Sequence, residues 1–186
     1  MPDGPSVHGR QAALRRFDDQ RLTAAHTTLA EARDLAAAGN VEKALAAYDE
    51  VAYAANDALG RGYVGRAKAE GLLLAAYVGA AELRAARGEP EAALHQYRQA
   101  LAVVEGLLND DPSDIAMLLR KADLVLDAGR LLEALGEADE ALYFYRAAAA
   151  IMAQQISERS QDVRLQERMD AAVAGARRLE AADDGR

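Results

Sequence analysis

The residues whose types and spacing could do chemistry are few. Gly60-Arg61-Gly62-Tyr63-Val64-Gly65 spells G-x-G-x-x-G. In a dinucleotide site that motif follows a strand and opens a helix, so that backbone N–H groups reach the pyrophosphate. Here it follows a helical pattern with no βαβ unit around it, and the plain reading is a turn between two helical segments. The three histidines, His8, His26 and His95, do not pair at a helical ligand spacing, and His26 and His95 are expected on helix surfaces. Asp110, Asp111 and Asp114 cluster without the alternating ligands of a calcium loop, so they read as a helix boundary. There is no cysteine, hence no thiolate metal site. No Ser/His/Asp arrangement or phosphate-binding lysine loop suggests itself. The expectation is a protein that is not an enzyme, with no cofactor and no metal.

Composition narrows the partners. The net charge is −8 over 186 residues, which disfavours nucleic acid and anionic membrane surfaces. The longest apolar or glycine run, Gly71 to Ala81, is too short to span a bilayer, and Met1 to Arg10 has no apolar signal core. A soluble, cytoplasmic protein is expected. Apolar residues make up 51% of the chain and aromatics only 5%. Alanine dominates the apolar fraction, and it favours helix and close helix approach. The four prolines, Pro2, Pro5, Pro90 and Pro112, leave long stretches without a breaker.

The elements that would carry any site come from a repeat. Gly-x4-Ala-Leu-x2-Tyr occurs as Gly39, Ala44, Leu45, Tyr48, then Gly88, Ala93, Leu94, Tyr97, then Gly136, Ala141, Leu142, Tyr145. The glycines are 49 and then 48 apart, and Gly185 lies 49 further on. After Gly39, Val41, Ala44, Leu45, Tyr48, Val51, Ala52, Ala55 and Leu59 fall at steps of three and four, one stripe of an amphipathic helix. The third copy has the same stripe, and Ile115 to Leu135 carries another. No segment sustains a period of two. The glycines sit where helices should end and supply the left-handed cap residue. Pro90 suits a first helical turn. Ser113 is the expected N-cap after Asp111-Pro112, and Ser160 the expected cap of a last helix over about 161–182.

This pattern resembles the tetratricopeptide repeat, a solenoid of antiparallel helix pairs. The shared features are the turn glycine, the alanine five residues on and the aromatic four further. The family's small residue in the first helix is matched by Ala32, Ala81 and Gly129. Its second small position is matched by Ala100 and Ala148, with Val51 in the first copy. The family's period is about 34 residues. The extra 14 or 15 residues here correspond to about four helical turns, two on each helix of a pair. The chain is similar to bacterial arrays of this long period, in which an Asp-Pro turn precedes the first helix of a pair. The resemblance implies an all-α, right-handed solenoid with three pairs and a C-terminal capping helix. Residues 1–9 are expected to be disordered, with a repeat domain over 10–182 (repeats about 10–60, 61–109 and 113–158, cap 161–182) and a disordered tail over 183–186.

The same resemblance implies a concave groove lined by the first helix of each pair. The family's groove positions fall on Leu29, Arg33 and Ala36, then Val78, Glu82 and Ala85, then Leu126, Arg130 and Glu133. The Lys and Asn residues with which the family clamps a terminal carboxylate are missing. In their place runs an apolar row of Leu29, Val78 and Leu126, bordered by Arg33, Glu82 and Arg130. Such a row fits either a groove for a peptide or helix or a closed core. The expected function is a scaffold or adaptor that binds a protein or peptide, with self-association possible. A chaperone masking an apolar client segment is the alternative, and a small-ligand sensor or enzyme a third.

Overall fold

The computed structural model describes residues 7–62, 65–158 and 163–184, and among them it is all-α. Seven helices follow one another: α1 (Val7–Ala37), α2 (Val41–Arg61), α3 (Arg66–Ala86), α4 (Pro90–Asp110), α5 (Ile115–Leu135), α6 (Ala138–Glu158) and α7 (Val163–Asp184). Each of α2 to α6 has 21 residues, about 31 Å of helix. That equality is the structural form of the 48–49 residue period. Helix α1 begins inside the segment expected to be disordered, and α7 continues two residues past 182. Ser160 lies outside the described residues.

The helices end as the glycine pattern demands. Gly39, Gly88 and Gly136 have φ of 75°, 74° and 81°, where a side chain would be strained. Each closes a Schellman motif. The Gly39 N–H donates to the Ala36 carbonyl and the Asn40 N–H to that of Leu35; Gly88 and Glu89 do the same to Ala85 and Arg84, and Gly136 and Glu137 to Glu133 and Leu132. Pro90 opens α4. The cap of α5 differs from expectation. Asp114, not Ser113, is the N-cap, and its carboxylate accepts the Met117 N–H at 3.1 Å. Ser113 instead donates its N–H and hydroxyl to Asp111 Oδ1 at 3.0 and 2.7 Å. The Asp-Pro turn thereby hands the capping role to the next carboxylate.

The chain forms two compact units, one up to Leu83 and one from Arg84. The boundary falls near the end of α3. In the first unit α1 packs on α2, and the Asn56 amide donates to the Tyr77 hydroxyl, joining α2 to α3 at 3.2 Å. In the second unit α4 packs on α5, α5 on α6 and α6 on α7, and α7 also touches α5.

The repeated alanines and tyrosines are core residues. Ala44, Leu45, Tyr48, Ala93, Leu94, Tyr97, Ala141 and Tyr145 are all buried, as are Ala32, Ala81 and Gly129. Two glycines outside the repeat motif explain how the rings fit. A Cβ at Gly79 of α3 would lie 2.4 Å from Tyr48 Cζ, and one at Gly175 of α7 would lie 2.7 Å from Tyr145 Cζ. Each of these two rings therefore lies on the bare backbone of a later helix. A Cβ at Gly129 of α5 would also meet the Tyr145 ring, at 3.4 Å from Cδ1 and Cε1. Gly79 and Gly175 are 96 residues apart, two periods of 48, and Asp127 stands at the intermediate position.

Candidate partner-binding faces

The groove positions divide by chemistry. Leu29, Val78 and Leu126 are only 5%, 5% and 3% exposed. Their side chains belong to the cores of the units that hold them. Arg33, Glu82 and Arg130, each four residues on, are exposed. This is the usual split of an amphipathic helix, with one turn separating the buried stripe from the solvated edge. Ala36 and Ala85 are half-buried. The surface available to a partner at this register is polar.

In the first unit Arg33 on α1 and Glu82 on α3 both act electrostatically on the Tyr48 phenol. Burial raises the Tyr48 pKa; the Arg33 charge opposes that rise and the Glu82 charge adds to it. The two side chains thus flank one buried tyrosine with opposite signs.

The second unit has a fuller arrangement. Arg130 pairs with Asp127 at 2.9 Å, three residues back on α5. One turn earlier, Asp123 pairs with Arg168 of α7 at 3.1 Å. Burial raises the pKa of both aspartates. Arg168 and Arg120 counter the rise at both, and Arg130 counters it at Asp127, while the Asp127 charge adds to the rise at Asp123. Glu133 is engaged internally: Tyr145 donates its hydroxyl to Glu133 Oε2 at 2.6 Å, and Arg178 of α7 reaches the same oxygen at 3.0 Å. These partners hold Glu133 below its usual pKa, with Arg178 the larger cause. Tyr145 is pushed up to about 12, first by burial and then by its bond to Glu133.

Sequence reasoning missed Asp123 and Asp127. Their signal was available, since both lie within seven residues of Arg130 on one helix face, four apart. Arg168 could not have been found, because its meeting with Asp123 spans 45 residues and depends on α7 lying beside α5.

The glycine motif at 60–65 resolves into a turn on its described side. Helix α2 ends at Arg61, and Gly62 caps it with φ 67°. Tyr63 and Val64 lie outside the described residues. Arg61 serves an ion-pair cluster between α1 and α2. It donates to the buried Asp18 at 2.8 Å and shares Asp57 with Arg21. Both guanidinium groups lie within 6 Å of the Phe17 ring, Arg21 at 5.8 Å and Arg61 at 5.6 Å. The cluster balances two cations against two anions and serves to fasten α1 to α2. His26 and His95 are exposed.

No described helix is long and apolar enough to cross a membrane. Comparison of the chain with protein-family models finds no match, and comparison with curated proteins finds no relative. The all-α repeat of near-equal helices therefore stands on the sequence period and the structure alone.

Proposed function

We propose that this chain is a protein-binding scaffold or adaptor of the tetratricopeptide type, and not an enzyme, with the solvated edge of its first-of-pair helices as the binding face. The observation that carries this reading is the placement of Arg33, Glu82 and Arg130. They occupy one register of the repeat, exposed, directly beside positions that are core. A repeat that keeps its core and its accessible edge on separate stripes can vary the edge without cost to the fold. The capped turns and the Ala and Tyr packing positions support assignment to that repeat type. Tyrosines resting on glycine backbone fit it as well. The partner suited to this face is a polar segment carrying both charges, laid against Arg130, Asp127 and Asp123 in the second unit.

The test is site-specific photo-crosslinking from positions 33, 82 and 130 in cells of the source organism, with Arg130→Glu in parallel. The expected result is a protein cross-linked within each unit and lost from position 130 in Arg130→Glu, whose helical circular dichroism stays that of wild type although a carboxylate beside Asp127 lowers its melting temperature. Cross-links that fail to form at all three positions, with Arg130→Glu indistinguishable from wild type in every binding assay, would remove the face from consideration.

A further inference from the structure

Helix α1 outruns the helices packed on it. It has 31 residues, whereas α2 and α3 have 21 each. The excess lies at its start. Arg61, the last residue of α2, bonds to Asp18 of α1 at 2.8 Å. Lys68, in the first turn of α3, bonds to Thr23 of α1 at 3.3 Å. Residues 7–17 therefore project past the end of α2 and the start of α3, over about 16 Å. The buried positions of α1 are Asp18, Leu22, Ala25, Leu29 and Ala32, at steps of three and four. The same step leads back from Asp18 to Leu14. Leu14 is 39% exposed and Phe17, at the edge of the stripe, 49%. The packing face of α1 thus runs on beyond α2 and α3, and it is solvated there.

Charge says what this stretch attracts. Arg15 and Arg16 are exposed and take no ion pair among the described residues. Arg10 precedes Leu14 by four positions and Phe17 by seven, the spacing of one helix face. Residues 7–23 and 57–70 together hold seven Lys or Arg and four Asp or Glu, in a chain of net charge −8. Three of those carboxylates are already taken: Asp18 by Arg61, Asp57 by Arg21 and Arg61, and Glu70 by Arg66. The fourth, Asp19, is exposed. This end of the first unit therefore attracts anions although the chain as a whole repels them. The apolar stripe decides among the anionic classes. A nucleic acid would leave Leu14 uncovered, and a membrane surface needs a longer apolar face than two side chains. A helix with apolar residues at steps of three and four and carboxylates beside them meets both demands. It continues on residues 7–17 the helix-on-helix packing that α2 gives the rest of α1.

We propose that residues 7–17 of α1 are a docking surface for an acidic amphipathic helix of a partner protein, which seats its apolar stripe on Leu14 and Phe17 while Arg10, Arg15 and Arg16 draw its carboxylates. The contact is about three helical turns long, so the complex is a weak one with a dissociation constant of about 100 μM. This surface uses none of Arg33, Glu82 or Arg130, and it stands or falls independently of them.

The test is fluorescence anisotropy of a labelled helical peptide titrated with the full chain. The peptide has about 14 residues, with leucine at steps of three and four and glutamate elsewhere, and the salt is about 50 mM so that charge is little screened. The expected dissociation constant is about 100 μM, weakened at least about tenfold in the triple variant R10E/R15E/R16E and in Leu14→Asp. Arg177→Glu, which changes an exposed arginine of α7, should bind as wild type does. All variants should keep wild-type helical circular dichroism, which separates lost docking from lost folding. A peptide with lysine in place of glutamate should not bind. Failure of the acidic peptide to bind at about 1 mM overturns the proposal. So does equal binding of the lysine peptide, binding that survives either α1 variant, or a loss that Arg177→Glu shares. Tighter binding at these residues of phosphatidylcholine vesicles containing phosphatidylserine, or of a single-stranded oligonucleotide, overturns it as well.

Discussion

Replacing Gly79 by alanine tests the packing rule that organises the first unit. Alanine is the better helix former, and in the middle of α3 the substitution by itself should stabilise by about 0.8–1 kcal/mol. The structure opposes that gain. The new Cβ would sit 2.4 Å from Tyr48 Cζ and 2.5 Å from Cε1. An ordinary contact needs about 3.4 Å or more, so the ring or the helix must yield by about 1 Å. Tyr48 is 4% exposed, and a close-packed core resists such a shift at a cost of about 1–3 kcal/mol. Gly71 lies on the same helix with nothing within 4 Å of its would-be Cβ, so Gly71→Ala keeps the helix gain alone. The difference between these two identical substitutions isolates the steric cost, and it should be about 1–3 kcal/mol. Urea unfolding followed by circular dichroism measures it as a difference in midpoint at constant slope. A third variant closes the argument. In a Tyr48→Leu background the ring atoms are gone, and Gly79→Ala should then stabilise as Gly71→Ala does. Equal upward shifts for Gly79→Ala and Gly71→Ala in the wild-type background would refute the placement of Tyr48 on α3.

Other expectations follow from the second unit. Tyr97→Ala, at a buried position, should cost about 3–5 kcal/mol, and a loss below about 0.5 kcal/mol would mean that the ring is not in the core. Asp114→Ala removes the only side-chain cap described at the start of α5 and should cost about 0.5–2 kcal/mol, while Ser113→Ala should cost less; equal losses would return the cap to Ser113. Tyr145 ionises near 10 when unfolded and is pushed up to about 12 when folded, so the folded state holds the proton more firmly. Its contribution is complete below pH 10 and is lost as pH rises towards 12; ultraviolet titration of wild type against Tyr145→Phe should show one late-titrating tyrosine missing in the variant. Glu133 has the opposite sign. Its lowered pKa contributes stability above its ordinary value of 4.5 that is lost as pH falls through the folded value, and Arg178→Ala should move its carboxylate titration, followed by NMR, back towards 4.5.

The sequence by itself determined the helices and their ends. A stripe at steps of three and four commits a segment to one buried face, and Gly39, Gly88 and Gly136 stop it where the chain must turn left-handed. These are local effects, set by the residue and its neighbours within a turn or two. The same locality misplaced the α5 cap, because Ser113 and Asp114 both satisfy the composition rule. Only the backbone path after Pro112 selects the one whose oxygen reaches Met117. The candidate site was legible in part. Arg33, Glu82 and Arg130 could be named only through the resemblance to the tetratricopeptide repeat, whose groove positions fall on them. Whether Leu29, Val78 and Leu126 are groove or core could not be read, since burial is a property of what packs against a stripe and not of the stripe. Tertiary structure decided that question. It also seated Tyr48 on Gly79 and Tyr145 on Gly175, and brought Arg168 to Asp123 across 45 residues. Each of these depends on how helices distant in the chain sit side by side, which no local preference specifies.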